Sequence, residues 1–330
     1  MMKKLFYILC LLVFVACSDD DDKNEVMMSD FDKPFTSISK SELKGMLQDF
    51  WLIDTIIDDY FEGHRMDVVG PIEDALDKYD VDIEDFFTFN TLNSRSTAAP
   101  VENKFTGMKI AWNPATHALD TTIDADGFIE ILIPYSQTDD SRNNLRIVIN
   151  GEWSNYTMKE ETKFYLDEQL IMTTERLYNE DRDGLSVYIT ENTPPYFYSY
   201  KAFENSQATF PTSEFIVRKE GGPSLLQSIN LENGNLVLLT EYNNLRAHVT
   251  VNQYNNFLNL VNQLEGNNNK LALELWKKNM SAVIVFTDRD EKIGDLDVYP
   301  DEEDDNLPLI CRFQDGEEFR LPLIFFSLYD

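Results

Sequence analysis

The chain has 330 residues, 43% of them hydrophobic and 26% charged, which is typical of packed proteins and excludes a largely disordered chain. Its 59 Asp and Glu residues outnumber 28 Lys and Arg, so the formal net charge is −31. Such an acidic surface repels phosphate backbones, and the sequence contains no basic stripe that could bind them. Nucleic-acid binding is therefore excluded as a function.

The first seventeen residues follow the order of a secretory signal. Lys3 and Lys4 precede an apolar run from Leu5 to Val15, which is too short to span a bilayer as a helix. The run ends in Phe14-Val15-Ala16-Cys17, which resembles the lipobox of bacterial lipoproteins, although Phe14 occupies a position where Leu is usual. This resemblance implies that residues 1–16 are a lipoprotein signal peptide and that acylated Cys17 anchors the mature chain to a membrane.

An acidic tract follows the lipobox directly and consists of Ser18, Asp19, Asp20, Asp21 and Asp22. The tract resembles the export tag of surface lipoproteins from Bacteroidota, which implies that the protein lies on the outer face of the outer membrane. A row of like charges is also typical of a solvated linker, and the two interpretations are compatible. We therefore expect residues 17–38 to form the acylated cysteine and a flexible acidic tether.

Cysteine use agrees with this processing. Cys10 is removed with the signal and Cys17 is acylated, so Cys311 has no partner for an intramolecular disulfide. Cys311 lies in the alternating stretch Leu309–Phe313, where a thiol is more often a small buried hydrophobe than a nucleophile. No neighbouring motif supplies a catalytic base.

A helical cap is predicted over residues 39–90. Ser39-Lys40-Ser41-Glu42 fits a capping box, and apolar residues then recur at steps of three and four until Gly63, where we expect the helix to end. A second helix is expected from Gly70-Pro71 to Tyr79, because Pro is favoured in a first helical turn.

Beyond a polar boundary at residues 91–103, the pattern changes to short alternating runs typical of strands. Two late hairpins are predicted. One pairs Leu271–Trp276 with Ala282–Phe286, and the other pairs Leu309–Phe313 with Phe319–Phe325 across Asp315-Gly316. The predicted fold class is therefore α+β, with a mainly antiparallel β body that follows the helical cap.

Two segments of the β body resemble each other. Asp126 to Tyr135 aligns without a gap with Asn233 to Tyr242, and Asn-Asn-Leu-Arg follows each segment, at 143–146 and 243–246. This indicates two related β modules, at 104–210 and 211–330. Coincidence is the alternative, because strand sequences carry little information.

The sequence offers one weak metal motif. His64, His117 and His248 are far apart and lack the spacing of zinc ligands. Asn179, Asp181 and Asp183, with Gly184, resemble the start of a calcium-binding loop, but Thr190 stands where a bidentate acid is required. An Asp-Gly hairpin turn is the alternative, so no cofactor is expected and Ca²⁺ is kept as a minor hypothesis.

An aromatic strand near the middle of the chain is the candidate ligand surface. Alternation places Tyr196, Tyr198 and Tyr200 on one face, where exposed rings would suit sugars or a protein partner. The alternative is that these rings cover an apolar sheet face. Separately, Asp120-Thr121-Thr122 resembles the O-glycosylation tripeptide of Bacteroidota, and the sequence does not decide whether Thr121 is modified.

Three functions are compatible with these observations. The leading hypothesis is a non-catalytic surface module that binds or adheres to a glycan or an envelope protein, because no catalytic motif occurs in the sequence. The first alternative is a secreted glycan-directed hydrolase that uses a pair of the many carboxylates. The second is a structural subunit of an envelope assembly, which would require an unpaired edge strand or an exposed groove.

Overall fold

The structure of the protein is a computed structural model. The structure describes residues 29–48, 52–81, 83, 103–104, 107–124, 127–135, 140–153, 157–180, 184–205, 212–261, 274–275, 277–298 and 306–327. The predicted signal peptide, Cys17 and the acidic tract lie outside these residues. The described chain is mostly β with few helices. It divides into two compact units, one formed by residues 1–57 and 210–330 and the other by residues 58–209, so the predicted helical cap contributes to both.

The helices begin where the capping box predicts. Helix α1 (Lys40–Gln48) follows Ser39, whose Oγ accepts a hydrogen bond from the Glu42 backbone N–H at 3.4 Å. Helix α2 (Leu52–Asp58), a π-helical turn (Asp59–His64) and helix α3 (Arg65–Lys78) are continuous with one another.

Two predicted helix boundaries are wrong. Gly63 lies inside the π-helical turn, so the helix does not end there. Pro71 lies inside α3, so no helix begins there. A proline in a helix interior costs about 3 kcal/mol, but α3 buries Val69, Ile72 and Leu76, and burial of each large side chain contributes about 2 kcal/mol. Tertiary packing therefore overrides the local preference at both positions.

The unit of residues 58–209 contains an antiparallel meander. Its strands are β1 (Asn103–Lys104), β2 (Gly107–Asn113), β3 (Ala118–Asp124), β4 (Ile129–Ile133), β5 (Leu145–Trp153), β6 (Thr157–Leu166), β7 (Gln169–Glu180), β8 (Gly184–Thr193) and β9 (Tyr196–Asn205). The order in space is β3-β2-β4-β5-β6-β7-β8-β9, β1 pairs with the end of β5, and β2–β4 is the parallel pair.

The core of this unit lies between the sheet and α3. Alternate residues of β4 and β5 point to one face and are almost fully buried, as the period of two in a strand requires. They are Ile129, Ile131, Ile133, Leu145, Ile147 and Ile149. Ile72, Ala75 and Leu76 of α3 belong to the same hydrophobic cluster. The helix thus covers one face of the meander and fixes which strand residues point inward.

The unit of residues 1–57 and 210–330 contains a second meander, in which each strand pairs antiparallel with the next. Its strands are β10 (Thr212–Lys219), β11 (Ser224–Glu232), β12 (Asn235–Tyr242), β13 (Leu245–Val251), β14 (Met280–Phe286), β15 (Lys292–Val298), β16 (Asn306–Arg312) and β17 (Glu318–Ser327). Helix α4 (Tyr254–Val261) follows β13. In α1, Lys40 and Lys44 form ion pairs with Glu317 at 2.6 and 2.5 Å, beside the β16–β17 turn.

One of the two late hairpins is confirmed and the other is wrong. Strands β16 and β17 pair across Asp315-Gly316, and Gly316 has a φ of 83°, which favours glycine. Strand β14, in contrast, pairs with β13 on one edge and with β15 on the other, so it cannot form the predicted hairpin with residues 271–276. Residues 274–275 and 277–279 are helical instead, and the Asn279 side chain donates a hydrogen bond to the Leu275 carbonyl at 3.0 Å.

Among the described residues, none of the helices combines the length and apolar character that crossing a membrane requires.

Candidate functional site

A cavity of about 600 Å³ lies in the unit of residues 58–209, between α3 and the inner face of β6, β7 and β8. Its apolar wall includes Val69, Ile72, Leu76, Phe164 and Met172. Ligand sites for small molecules have volumes of about 300 to 1,000 Å³ and combine apolar walls with a few polar groups. The cavity has the size and the mixed lining of such a site.

The polar side of the cavity comes from strand register. Glu160 of β6 is paired with Arg176 of β7, while Thr174 of β7 lies between Thr162 of β6 and Glu191 of β8. Because directly paired residues point to the same face, these side chains all project toward α3. Three neighbouring strands therefore contribute to one polar surface.

Glu191 is the centre of a buried hydrogen-bond network. Its side chain is 7% exposed, and both of its oxygens accept from Arg65 Nε at 3.1 Å. The Tyr60 hydroxyl donates to Glu191 Oε1 at 2.8 Å, and the Thr193 hydroxyl donates at 3.3 Å. Burial, and then the Glu191 charge, raise the pKa of Tyr60 well above its ordinary value, so the phenol remains a donor. The network satisfies the Glu191 carboxylate within the protein.

Glu160 has a different environment. It is 4% exposed, and its Oε1 accepts a hydrogen bond from the Thr162 hydroxyl at 2.8 Å. Its Oε2 is buried and accepts no hydrogen bond from any residue that the structure describes. Arg176 Nη1 lies 3.9 Å from this oxygen, on a side chain that is 43% exposed. A buried acceptor without a donor costs free energy, so a ligand that donates a hydrogen bond to this oxygen would remove that cost.

The charge of the lining is negative. Among the described lining residues, five carboxylates (Glu73, Asp77, Asp80, Glu160 and Glu191) accompany two guanidinium groups (Arg65 and Arg176). Arg65 already pairs with Glu191. The cavity can therefore accept hydrogen bonds and favours donors or cations over anions.

The spacing of the two buried carboxylates bears on the hydrolase alternative. Glu160 and Glu191 lie two strands apart and are offset by two residues, which places their Cα atoms about 12 Å apart for strands about 4.8 Å apart. Glycoside hydrolysis uses carboxyl groups about 5 to 9 Å apart. The hydrolase alternative depends on the distance between the two carboxyl groups, whereas the strand register fixes only the Cα positions.

The predicted tyrosine surface packs partly inward. Tyr196 is 4% exposed, and its ring lies 5.6 Å from the ring of Tyr60, while the Tyr198 ring stacks on Tyr60 at 5.7 Å. For these two residues the structure matches the alternative in which the rings cover an apolar face. Tyr198 and Tyr200 are half-buried, so ligand binding through them stays a prediction.

Partial burial of the Tyr198 phenol predicts a loss of stability at alkaline pH. Burial raises the pKa of Tyr198 to about 12, whereas a phenol in the unfolded chain ionises near 10. Above pH 10 the unfolded state therefore binds fewer protons than the folded state, and the free energy of unfolding falls until about pH 12. Urea unfolding at a series of pH values should show this fall, and Tyr198→Phe should make it shallower. Identical slopes in both proteins would contradict the assignment.

The candidate calcium residues are only partly described. Asn179 is the second-last residue of β7 and is paired with Ser186 of β8, as in a hairpin, while Asp181 and Asp183 lie outside the described residues. The Asn179 side-chain oxygen accepts a hydrogen bond from the Thr157 hydroxyl at 3.0 Å. Within the described ranges, no group of three or more His, Cys, Asp and Glu residues is arranged to hold a metal ion.

The other residues to which the sequence draws attention are His248, Cys311 and Thr121. His248 is half-buried in β13, and its Nδ1 lies 3.0 Å from Asp30 Oδ2. Cys311 is fully buried, and burial, with a smaller effect of Asp295, raises its pKa to about 12, as expected of an unreactive thiol. Thr121 is exposed on β3.

Sequence reasoning missed Arg65, Glu160, Arg176 and Glu191. The sequence feature that could have indicated them is Glu160-Glu161-Thr162-Lys163-Phe164, in which Glu160, Thr162 and the apolar Phe164 occupy every second position. Polar residues in phase with Phe164 must share its face, which marks a polar site on a buried surface.

Comparison of the chain with family models, with curated proteins and with solved structures finds no match.

Proposed function

We propose that the mature protein is a non-catalytic surface lipoprotein that binds a small hydroxylated ligand, such as a glycan fragment, in the cavity between α3 and β6–β8. The observation that supports this proposal is the buried Glu160 carboxylate, which points into an apolar-walled cavity and has one oxygen that accepts no hydrogen bond from the described part of the chain. A sugar ring offers an apolar face for Phe164 and hydroxyl donors for Glu160. A volume of about 600 Å³ accommodates a ligand of this size.

The proposal is tested by blocking the cavity. Thr174 is buried and lies between Thr162 and Glu191, so Thr174→Phe would fill the space that a ligand needs. The matched control is Thr173→Phe, because the neighbouring side chain points to the opposite face of the same strand. Purified wild-type chain and both variants are applied to a glycan array, and turnover of the same sugars is measured.

We expect the wild-type chain and Thr173→Phe to bind the same sugars with the same affinity. Thr174→Phe should bind them at least about tenfold more weakly, which corresponds to a loss of about 1.4 kcal/mol of binding free energy. Equal binding by all three proteins would place the ligand elsewhere. Release of product from a bound sugar would replace the binding function with the hydrolase alternative.

We also propose that acylated Cys17 holds this module on the outer face of a bacterial outer membrane. The proposal is supported by the lipobox-like Phe14-Val15-Ala16-Cys17 and by the acidic Ser18–Asp22 tract. Mass spectrometry of the native protein should find Cys17 diacylated as the first residue, and protease treatment of whole cells should remove the protein. An unmodified thiol or a protected chain would exclude surface anchoring, whereas the cavity proposal would remain.

We further propose that the two β modules are related by duplication, because equivalent backbone contacts surround both Asn-Asn-Leu-Arg segments. The Asn144 carbonyl accepts a hydrogen bond from Asp167, just after β6, and the Asn244 carbonyl accepts one from Thr287, just after β14. Both bonds are 2.9 Å long.

Each arginine of the two segments also pairs with a glutamate of the preceding strand, Arg146 with Glu130 at 2.6 Å and Arg246 with Glu241 at 2.5 Å. The two glutamates do not occupy matching positions, because Glu130 aligns with Val237, so the backbone contacts carry the proposal. If β4–β6 and β12–β14 fail to superpose strand for strand in an experimental structure, duplication is excluded.

A further inference from the structure

We infer that the cavity selects a ligand with a protonated amino group, held by Glu160, and that its ligand class is an amino sugar. This inference rests on the proposed binding function of the cavity and adds the chemical group that decides which ligand binds. It follows from the hydrogen bonds of Glu160, from the net charge of the lining and from the rigidity of β6.

The hydrogen bonds of Glu160 leave one oxygen ready for a donor. Oε1 is engaged by the Thr162 hydroxyl, whereas Oε2 is buried without a hydrogen bond from any described residue. An ammonium group carries three donors and a full positive charge, so it adds a Coulomb attraction to the charge-assisted hydrogen bond that any donor makes to a carboxylate. A sugar hydroxyl supplies one donor and no charge.

The lining leaves the charge of Glu160 only weakly compensated. Arg176 Nη1 is 3.9 Å from Oε2, beyond hydrogen-bond distance, and the Arg176 side chain is 43% exposed to solvent. Arg65 contacts both oxygens of Glu191 and belongs to that network. Glu73, Asp77 and Asp80 add further negative charge along the α3 side of the cavity. A cationic group on the ligand is therefore favoured over a neutral or anionic group.

Glu160 is held where it can act as a fixed anchor. It lies within β6, which is paired along its length with β5 on one side and β7 on the other. The carboxylate is further oriented by Thr162 on the same face. An anchor that is already ordered loses little conformational entropy on binding, so its charge contributes directly to selectivity.

The test compares three sugars that differ in one substituent. Isothermal titration calorimetry is carried out on the full mature chain with glucosamine, N-acetylglucosamine and glucose, below the pKa of the sugar amine. The variants are Glu160→Gln, which keeps the shape and removes the charge, and Glu160→Asp, which keeps the charge. The matched control is Glu161→Gln, whose carboxylate pairs with Lys163 at 2.7 Å on the opposite face.

We expect wild-type protein to bind glucosamine at least about tenfold more tightly than glucose or N-acetylglucosamine, a difference of about 1.4 kcal/mol. Glu160→Gln should remove this preference, Glu160→Asp should retain part of it, and Glu161→Gln should leave it unchanged. Thermal unfolding of each variant identifies any that fails to fold.

Two results would overturn the inference in distinguishable ways. Equal affinity for the three sugars, or a preference that survives Glu160→Gln, excludes an amine-selective Glu160 and leaves the binding function of the cavity in place. Absence of binding of all three sugars to the wild-type chain removes the sugar class itself, and the proposed function falls together with the inference.

Discussion

Replacing Arg65 with Ala is expected to lower the free energy of unfolding by about 2 to 3 kcal/mol, because it leaves Glu191 buried without its cation. Breaking a fully buried ion pair costs about 3 to 5 kcal/mol, and the Arg65 side chain is 33% exposed, which reduces the penalty. Urea unfolding followed by tryptophan fluorescence measures the loss. The change should also be visible as a lower urea midpoint.

The control for Arg65 is Arg142, which pairs with Asp167 at 2.6 Å on the surface and is 71% exposed. Arg142→Ala should cause no measurable loss, because solvent screens an exposed pair. The triple variant Tyr60→Phe, Arg65→Met, Glu191→Leu removes both charges and the Tyr60 hydroxyl together, and it leaves the Thr193 hydroxyl without its Glu191 acceptor. It should recover much of the stability that Arg65→Ala loses, since no buried charge is left unpaired. Equal destabilisation by Arg65→Ala and Arg142→Ala would show that the network contributes nothing specific.

Gly294→Ala is expected to cost about 2 to 3 kcal/mol, because the added methyl group has no space. A Cβ at this position would overlap Cys311 Sγ and would lie 2.8 Å from the Arg312 carbonyl oxygen. Gly294 pairs with Ile284 of β14, and the next residue, Asp295, pairs with Arg312 of β16, so strands lie on both sides of β15. Neither neighbour can move away without disturbing the β15–β16 pairing. Urea unfolding again provides the measurement.

Two further variants separate this steric effect from a general effect of alanine. Cys311→Ala together with Gly294→Ala should recover part of the loss, because the sulfur contact disappears while the carbonyl contact remains. Gly45→Ala in α1, where nothing lies within 4 Å, should instead raise stability by about 0.5 to 1 kcal/mol. If Gly294→Ala behaves like Gly45→Ala, the close packing of β15 against β16 is refuted.

Local chemistry in the sequence was enough to predict several elements. The Ser39 cap, the β16–β17 hairpin at Asp315-Gly316 and the burial of Cys311 each depend on neighbouring residues, and all three are confirmed. A capping hydroxyl, a glycine with positive φ and an alternating apolar run keep the same preference in most surroundings. The predominance of antiparallel strands after the helices was predictable for the same reason.

Long-range packing decided the elements that were predicted wrongly. Gly63 and Pro71 weaken a helix locally, but the buried side chains of the π-helical turn and α3, such as Tyr60 and Ile72, stabilise a helix that continues through both positions. Residues 271–276 resemble a strand, but β13 and β15 occupy both edges of β14. Such competition between segments is invisible to a local pattern.

The amino-acid sequence alone therefore determined the acidic character, the order of the signal-like leader, the helix start at Ser39 and the alternating strands, because each is a property of adjacent residues. Only the tertiary structure selected Glu160 and Glu191 from 59 acidic residues. The register of β6, β7 and β8 places both side chains on the face toward α3, and burial there makes a missing hydrogen-bond donor costly. Register and burial arise from residues far apart in the chain, so no local pattern specifies the site.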